Sequence, residues 1–179
     1  MDYLEQLAGE WYEYQGYFVR RDLWVGLESD GSYECELDVV GFHPIKHHLV
    51  QVEPLMNCLD WKQREQHLRL KFDAGRKYLH RMFGAAPHLA IEQIALVAVA
   101  ADPHRRSVAG GKIVLLSEFL SQILAKLATV SVSADLVPEQ WPLLRTLQFV
   151  AEYRQDIAPI LLETSRASRP GSGGWYSGK

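Results

Sequence analysis

The segment IEQIALVAVAA (91–101) constrains this chain more than any other. Apart from Glu92 and Gln93 it is apolar throughout. A strand of that pattern has no wet face, so the sheet that holds it needs cover on both sides. KIVLL (112–116) has the same character, and the polar stretch DPHRRSVAGG (102–111) reads as a surface loop between the two. Neither strand approaches the ~20 apolar residues of a membrane helix, and no other stretch does.

The remaining elements follow from periodicity. Leu4, Leu7, Trp11 and Tyr14 form an apolar stripe that predicts a helix over 2–15, with Gly16 suited to its C′ position. YFVRRDLWVGLE (17–28) is rich in aromatic and β-branched residues and reads as a strand. Asp30-Gly31 signals a hairpin turn into SYECELDVVGFH (32–43). The turn His43-Pro44-Ile45-Lys46 leads into a third strand, HHLVQVEP (47–54). A long helix is expected over 59–83, with Trp61, Leu68, Phe72, Leu79 and Met82 on its apolar stripe and Gly84 and Pro87 at its end. Ser117 is the expected N-cap of a helix carrying Phe119, Leu120, Ile123, Leu124 and Leu127. A last helix is expected from near Pro138 to about Tyr153, with a continuation past Pro159 left open. The chain of 179 residues is read as one α/β domain, 1–164, with a mixed central sheet flanked by helices. The Ser-, Gly- and Arg-rich stretch 165–179 is expected to be a disordered tail.

Side chains alternate along a strand. Glu34, Glu36 and Asp38 therefore share one face of the second strand, opposite Cys35, Leu37 and Val39. Leu49, Gln51 and Glu53 share a face of the third. Pairing the two strands across their short turn can gather Glu36, Asp38, Gln51 and Glu53 into one patch. Crowded carboxylates repel, and a divalent cation removes that cost. A solvated strand face fits the same pattern.

The stretch ECELDVVGFHPIKHHLVQVEP (34–54) resembles the core hairpin of the PD-(D/E)XK, restriction-endonuclease-like nuclease superfamily. That hairpin has an acid leading into an apolar run, a turn, and an apolar strand ending in (D/E)-x-K. Asp38 falls on the first acid, Gln51 on the second, and Glu53 on the lysine. GEWYEYQGYFVRR (9–21) is similar to the opening helix of resolvase-like members, with Glu10 on their helix acid. The resemblance covers roughly residues 2–130. It implies an αβββαβ core with C-terminal helices, and a Mg²⁺-dependent endonuclease (Mn²⁺ as substitute) acting on DNA. Asp38 would be the main metal ligand, with Gln51 and Glu53 completing the site and Glu10 assisting. Two departures stand out: Gln51 brings a carbonyl oxygen but no charge, and Glu53 cannot do the work of the lysine. Members with such changes are either still active or only bind. The alternative is therefore a catalytically inactive nuclease-like module that binds nucleic acid or protein.

The helix 61–83 carries Lys62, Arg64, Arg69, Lys71, Arg76, Lys77 and Arg81 against Glu65 and Asp73. Lys62, Arg69 and Arg76 are spaced by seven and line one side. With a net charge of -3 overall, nucleic acid would need such a local patch. Lys62, Arg69, Lys71, Arg76 and Lys77 are the expected phosphate contacts, and Lys71 or Lys77 the donors of the missing positive charge. A solvated helix face explains them equally. His43, His47 and His48 cluster at a turn without the Cys or acid spacing of a closed zinc site. Two cysteines outside any CxxC pair, and an acidic amphipathic N-terminus unlike a targeting peptide, point to a cytoplasmic protein without membrane contact. A homodimer is left open.

Overall fold

The computed structural model describes residues 2–56, 60–83, 89–98 and 104–167. Asp2 caps the first helix, α1 (Tyr3–Tyr14), by accepting from Leu4 N at 2.8 Å. Three strands follow: β1 (Phe18–Leu27), β2 (Tyr33–His43) and β3 (His48–Leu55). Asp60 caps α2 (Trp61–Met82) by accepting from Gln63 N at 3.0 Å. Next come β4 (Ile91–Val97), the two-residue β5 (Ser107–Val108) and β6 (Gly111–Leu115). The chain then runs through α3 (Leu116–Leu127), a 3-10 turn at Val132–Ala134, α4 (Pro142–Glu152) and α5 (Arg154–Ala167).

The six strands form one mixed sheet in the order β1-β2-β3-β4-β6-β5. β1, β2 and β3 are antiparallel neighbours; β3, β4 and β6 run parallel. Helices cover both faces, as the apolar strands β4 and β6 require. On one face, Leu4, Leu7, Ala8 and Trp11 of α1 pack with Val50, Val52, Ile94, Leu96 and Val114 and with α3 and α4. On the other, Leu68, Phe72, Ala74 and Leu79 of α2 pack over Leu49, Leu55, Ala95 and Val97. Each fully buried side chain of this kind contributes about 1.5–3 kcal/mol before entropy is counted.

Several boundaries differ from expectation for local reasons. The loop 102–111 holds β5, which turns back onto β6 through Ala109 and Gly110, both at positive φ. Helix α3 starts at Leu116, before Ser117, because Glu118 Oε2 reaches back to accept from Leu115 N at 3.0 Å. Pro138–Trp141 forms a turn, and the helix begins at Pro142, whose fixed φ suits that position. Helix α5 extends past Thr164 to Ala167, into the stretch expected to be a tail. The expected helix stop at Gly84 and Pro87 lies outside the described residues, as do Cys58, Trp175 and Tyr176.

One contact ties α1 to α4. Trp141, the N-cap of α4, offers no side-chain acceptor. Glu10 fills that role across space: its Oε2 accepts from Leu144 N at 2.8 Å, and its Oε1 from Gln6 Nε2 at 2.8 Å. A carboxylate at a helix N-terminus also meets the favourable end of the helix dipole. Glu13 Oε2 adds a bond from Trp141 Nε1 at 2.7 Å. Glu10→Ala strands a buried N–H and should cost about 1–3 kcal/mol, read by urea denaturation. A change below ~0.5 kcal/mol would mean that α4 is capped without it.

Candidate active site

Asp38, Gln51 and Glu53 do come together, under α2. Gln51 and Glu53 follow Leu49 on one face of β3, as alternation requires, and both are fully buried. β2 behaves differently. Leu37 and Val40, three residues apart, share one core cluster with Leu49, whereas Val39 joins Val50 and Val52 on the opposite face. Strict alternation cannot produce that, so β2 breaks its phase between Leu37 and Val40. The break lies where the β2–β3 ladder ends, with Val39 opposite Val52 as the last pair. Asp38 stands one position beyond that pair. Cys35 and Leu37, assigned by simple alternation to the far face, pack instead on the α2 side.

The partner of the two acids is Lys71 of α2. Its ammonium contacts Asp38 Oδ1 and lies 2.8 Å from Glu53 Oε2. The second contact lacks hydrogen-bond alignment, so among the described residues Glu53 Oε2 keeps a free acceptor site. Lys71 is largely buried, as its carbon stem and head group both lie beneath the helix. An unpaired ammonium there would be costly; two carboxylates make the burial tolerable.

A chain of amides supports the cluster. Gln51 Nε2 donates to Glu53 Oε1 at 2.8 Å and to Lys71 O at 3.0 Å. Gln93 Nε2, from β4, donates to Phe72 O and to Gln51 Oε1, both at 2.8 Å. Arg76 closes the chain with a bond from Nη1 to Gln93 Oε1. Two main-chain carbonyls can only accept, so each amide must turn its NH₂ toward α2. The orientation of Gln51 follows: its oxygen faces Gln93 and offers nothing to the Asp38–Glu53 side. Gln51, expected as an oxygen ligand, is a positioning residue for Glu53.

The electrostatics fit this crowding. Burial first, then Asp38 and the hydrogen bond shared with it, push Glu53 up to about 8 against the pull of Lys71 and Gln51. Burial works to lower Lys71, but Glu53 and Asp38 outweigh it and hold the ammonium above its ordinary value. Near neutrality Lys71 therefore stays an ammonium, and Glu53, pushed up to about 8, favours its protonated form.

Glu10 does not join this group; it is spent on α4. The α1 acid that senses the site is Glu5, raised by burial first and then by Asp38. A cavity of about 330 Å³ opens beside Lys71, lined by Glu34, Cys35, Glu36, His67 and Leu70. Burial, followed by Lys71, lowers His67. The basic stripe of α2 is dispersed. Lys71 turns inward, Arg76 bonds Gln93 and also Asp73 at 2.6 Å, and Lys77 pairs with Glu34 at 2.6 Å. Arg69 is exposed and lies 3.3 Å from Glu65, and Lys62 is exposed. Sequence reasoning missed Gln93, Glu5 and His67. Only Gln93 left a signal, as one amide within an apolar strand that must find a partner. Among the described residues no group of three or more His, Cys, Asp or Glu side chains is arranged to hold a metal.

A Cβ on Gly75 of α2 would lie 1.9 Å from Gln51 Oε1. Helix propensity alone makes Gly→Ala stabilising by up to about 1 kcal/mol. Gly75→Ala should instead destabilise by about 1–3 kcal/mol, because Gln51 must leave its partners. Chemical denaturation reads the sign. The cluster should also respond to pH. Glu53 has a folded pKa near 8 against an ordinary 4.5, so the folded state binds the extra proton between those values. Stability from this group is greatest below about 4.5 and declines as pH rises toward 8, by at most about 1.4 kcal/mol per pH unit. Lys71, raised, holds its contribution until pH passes above 10.5. Denaturation of wild type and Glu53→Gln from pH 5 to 8 should show the slope in the former and its loss in the latter. Equal slopes would place the titrating proton on a group other than Glu53.

No family model, curated protein or solved structure matches this chain.

Proposed function

We propose that this chain is a Mg²⁺-dependent endonuclease of the PD-(D/E)XK type, hydrolysing phosphodiester bonds in DNA. The observation that carries the reading is Lys71, which reaches Asp38 and Glu53 from α2. The hairpin carries Glu53 where the motif has its lysine, and α2 brings Lys71 to the same two acids. An Asp–Glu–Lys group results, with the lysine on a helix and an acid in its motif place.

Two carboxylates with hard oxygens suit Mg²⁺ or Mn²⁺, whose other ligands are commonly water and substrate phosphate. Asp38 and Glu53 would hold the ion, and Glu53 Oε2 has acceptor capacity to spare. The bound ion would supply a water of lowered pKa and charge neutralisation at the phosphate. The protein's own share is positional. Gln51 fixes Glu53, and Gln93 fixes Gln51. Lys71 offers a fixed positive charge to the oxyanion that develops on the phosphoryl group. Lys62 and Arg69, exposed on α2, would meet the DNA backbone.

The second reading, a module that binds nucleic acid without cutting it, draws on the same lysine. Lys71 pairs with both acids with no ion at all. Nicking of supercoiled plasmid and cleavage of single-stranded and branched DNA, with Mg²⁺, Mn²⁺ or chelator, separate the two. The expected result is ion-dependent cleavage that falls roughly 10²–10³-fold in Lys71→Met and at least as far in Asp38→Asn. If the wild type cuts none of these substrates and calorimetry detects no divalent ion, the hydrolase reading is abandoned for the binding module.

A further inference from the structure

Helices α1, α3 and α4 leave a groove of about 620 Å³ between them. Tyr3 of α1, Met56 just past β3, Leu116 and Leu120 of α3, and Leu143 and Leu147 of α4 line it. None of these six side chains is buried; Tyr3 is 76% exposed and Met56 54%. Two further lining residues are polar, and both are engaged with backbone. Asp2 Oδ1 accepts from Leu4 N at 2.8 Å, and Thr146 Oγ1 donates to Pro142 O at 2.7 Å. A polar small molecule finds little there to orient it. An exposed apolar surface of this kind marks a place where another apolar surface docks.

Helix α5 carries the complementary feature. Ile157, Ile160 and Leu161 recur at i, i+3 and i+4 and make one apolar stripe, with Leu162 next to it in the chain. Ile160, Leu161 and Leu162 are 63%, 61% and 64% exposed. Within its own chain α5 packs against α4, and it leaves α4 at the end away from the groove. Leu143, Thr146 and Leu147 belong to the first half of α4, whereas α5 starts after Glu152. No residue of α5 lines the groove of its own chain. Arg154, three residues before Ile157, adds a positive charge to the start of the stripe, and the charged residue in the groove lining is Asp2.

We infer that a second copy of this chain fills the groove: the α5 stripe of one protomer lies between α1, α3 and α4 of the other, and the exchange is reciprocal. This is an amphipathic helix laid in an apolar groove, with its anchors at i, i+3 and i+4. Reciprocity follows from area and from closure. A covered side chain of this size buries on the order of 100 Å². A stable interface needs about 800 Å² on each partner. The stripe alone falls short of that, and so does the groove alone; each protomer comes near it only by giving both. A one-way contact would also leave a stripe at one end and a groove at the other and would grow into filaments, whereas a two-fold exchange closes. The inference goes beyond the hydrolase reading and does not rest on it, since Asp38, Glu53 and Lys71 take no part in the groove.

Sedimentation velocity on the full chain tests it. The expected result is a monomer–dimer equilibrium with a Kd of about 10 µM or tighter. Leu161→Asp on the stripe and Tyr3→Asp on the groove should each weaken association at least roughly tenfold. Both residues are exposed, so both variants keep the fold; thermal melts check this. Mixing the two variants is the decisive arm. A mixed dimer pairs the intact α5 of the Tyr3→Asp chain with the intact groove of the Leu161→Asp chain. Association in the mixture should therefore be at least roughly tenfold tighter than that of either variant alone. Asp38→Asn should dimerise as the wild type does, whatever happens to cleavage. A wild type that stays monomeric at about 100 µM overturns the inference. A Tyr3→Asp chain that dimerises normally while Leu161→Asp does not would mean that α5 pairs with α5, which also overturns it. So does a mixture that gains nothing over its components.

Discussion

Two carboxylates and an ammonium share a space between the sheet and α2 that is otherwise packed with Leu, Phe and Val. The Lys71 contacts to Asp38 and Glu53 decide whether that space can exist. Removing an ammonium from water costs several kcal/mol, and so does removing each carboxylate. One positive charge cannot satisfy two negative ones, so the cluster keeps a proton, and Glu53, the deeper of the acids, is raised. The amides then matter as much as the charges. Gln51 gives Glu53 a donor that carries no charge, and Gln93 gives Gln51 an acceptor's partner in turn. A half-satisfied network here would be worse than a greasy one.

Much of the fold is legible in the chain because the deciding signals are local and redundant. The apolar run at 91–97 needs cover on both faces, and the helices at 3–14, 61–82 and 116–127 carry stripes able to supply it. The boundaries that moved did so through single side chains: Glu118 reaching back to Leu115, and Pro142 rather than Pro138 opening α4. The site was legible only in part. Leu49, Gln51 and Glu53 obey the period of two. β2 does not, and no pattern along 32–43 announces a phase break beside Asp38. Lys71 could be nominated as a donor of charge from its helix, but Lys77 was an equal candidate. They differ by six residues, which on a helix is a different face. Only the seating of α2 on the sheet separates the one that turns inward from the one that pairs with Glu34.

Helix α1 shows why a motif position does not fix a role. Glu5 and Glu10 are both acids on one amphipathic helix, five residues apart and so on different faces. Glu10 matches the acid of the resembled helix, yet it points to α4, whose N-cap, Trp141, provides no side-chain cap. The unmet N–H of Leu144 is a strong local demand for a buried acceptor, and the nearest acid meets it. Glu5 is left facing Asp38, where three negative neighbours raise it after burial does. The residue nearest in sequence to the motif is thus not the residue nearest in space to the cluster.

The seating of α2 is itself a consequence of the polar network. Apolar contacts such as Phe72 and Leu68 on Leu55 and Ala95 tolerate small slides, because dispersion is weak per contact and without direction. Hydrogen bonds from Gln51 to Lys71 O and from Gln93 to Phe72 O do not, since a shift of one residue breaks both. Gly75 acts in the same sense: it is the place on α2 where the Gln51 amide can come close to the helix backbone. A slide of one turn would put Leu79 over Gln51 and carry Lys71 away from Asp38. Polar groups in a core seldom add much stability, but they can select one register from several of similar hydrophobic energy. Here the register selected is the one that delivers a lysine to two acids.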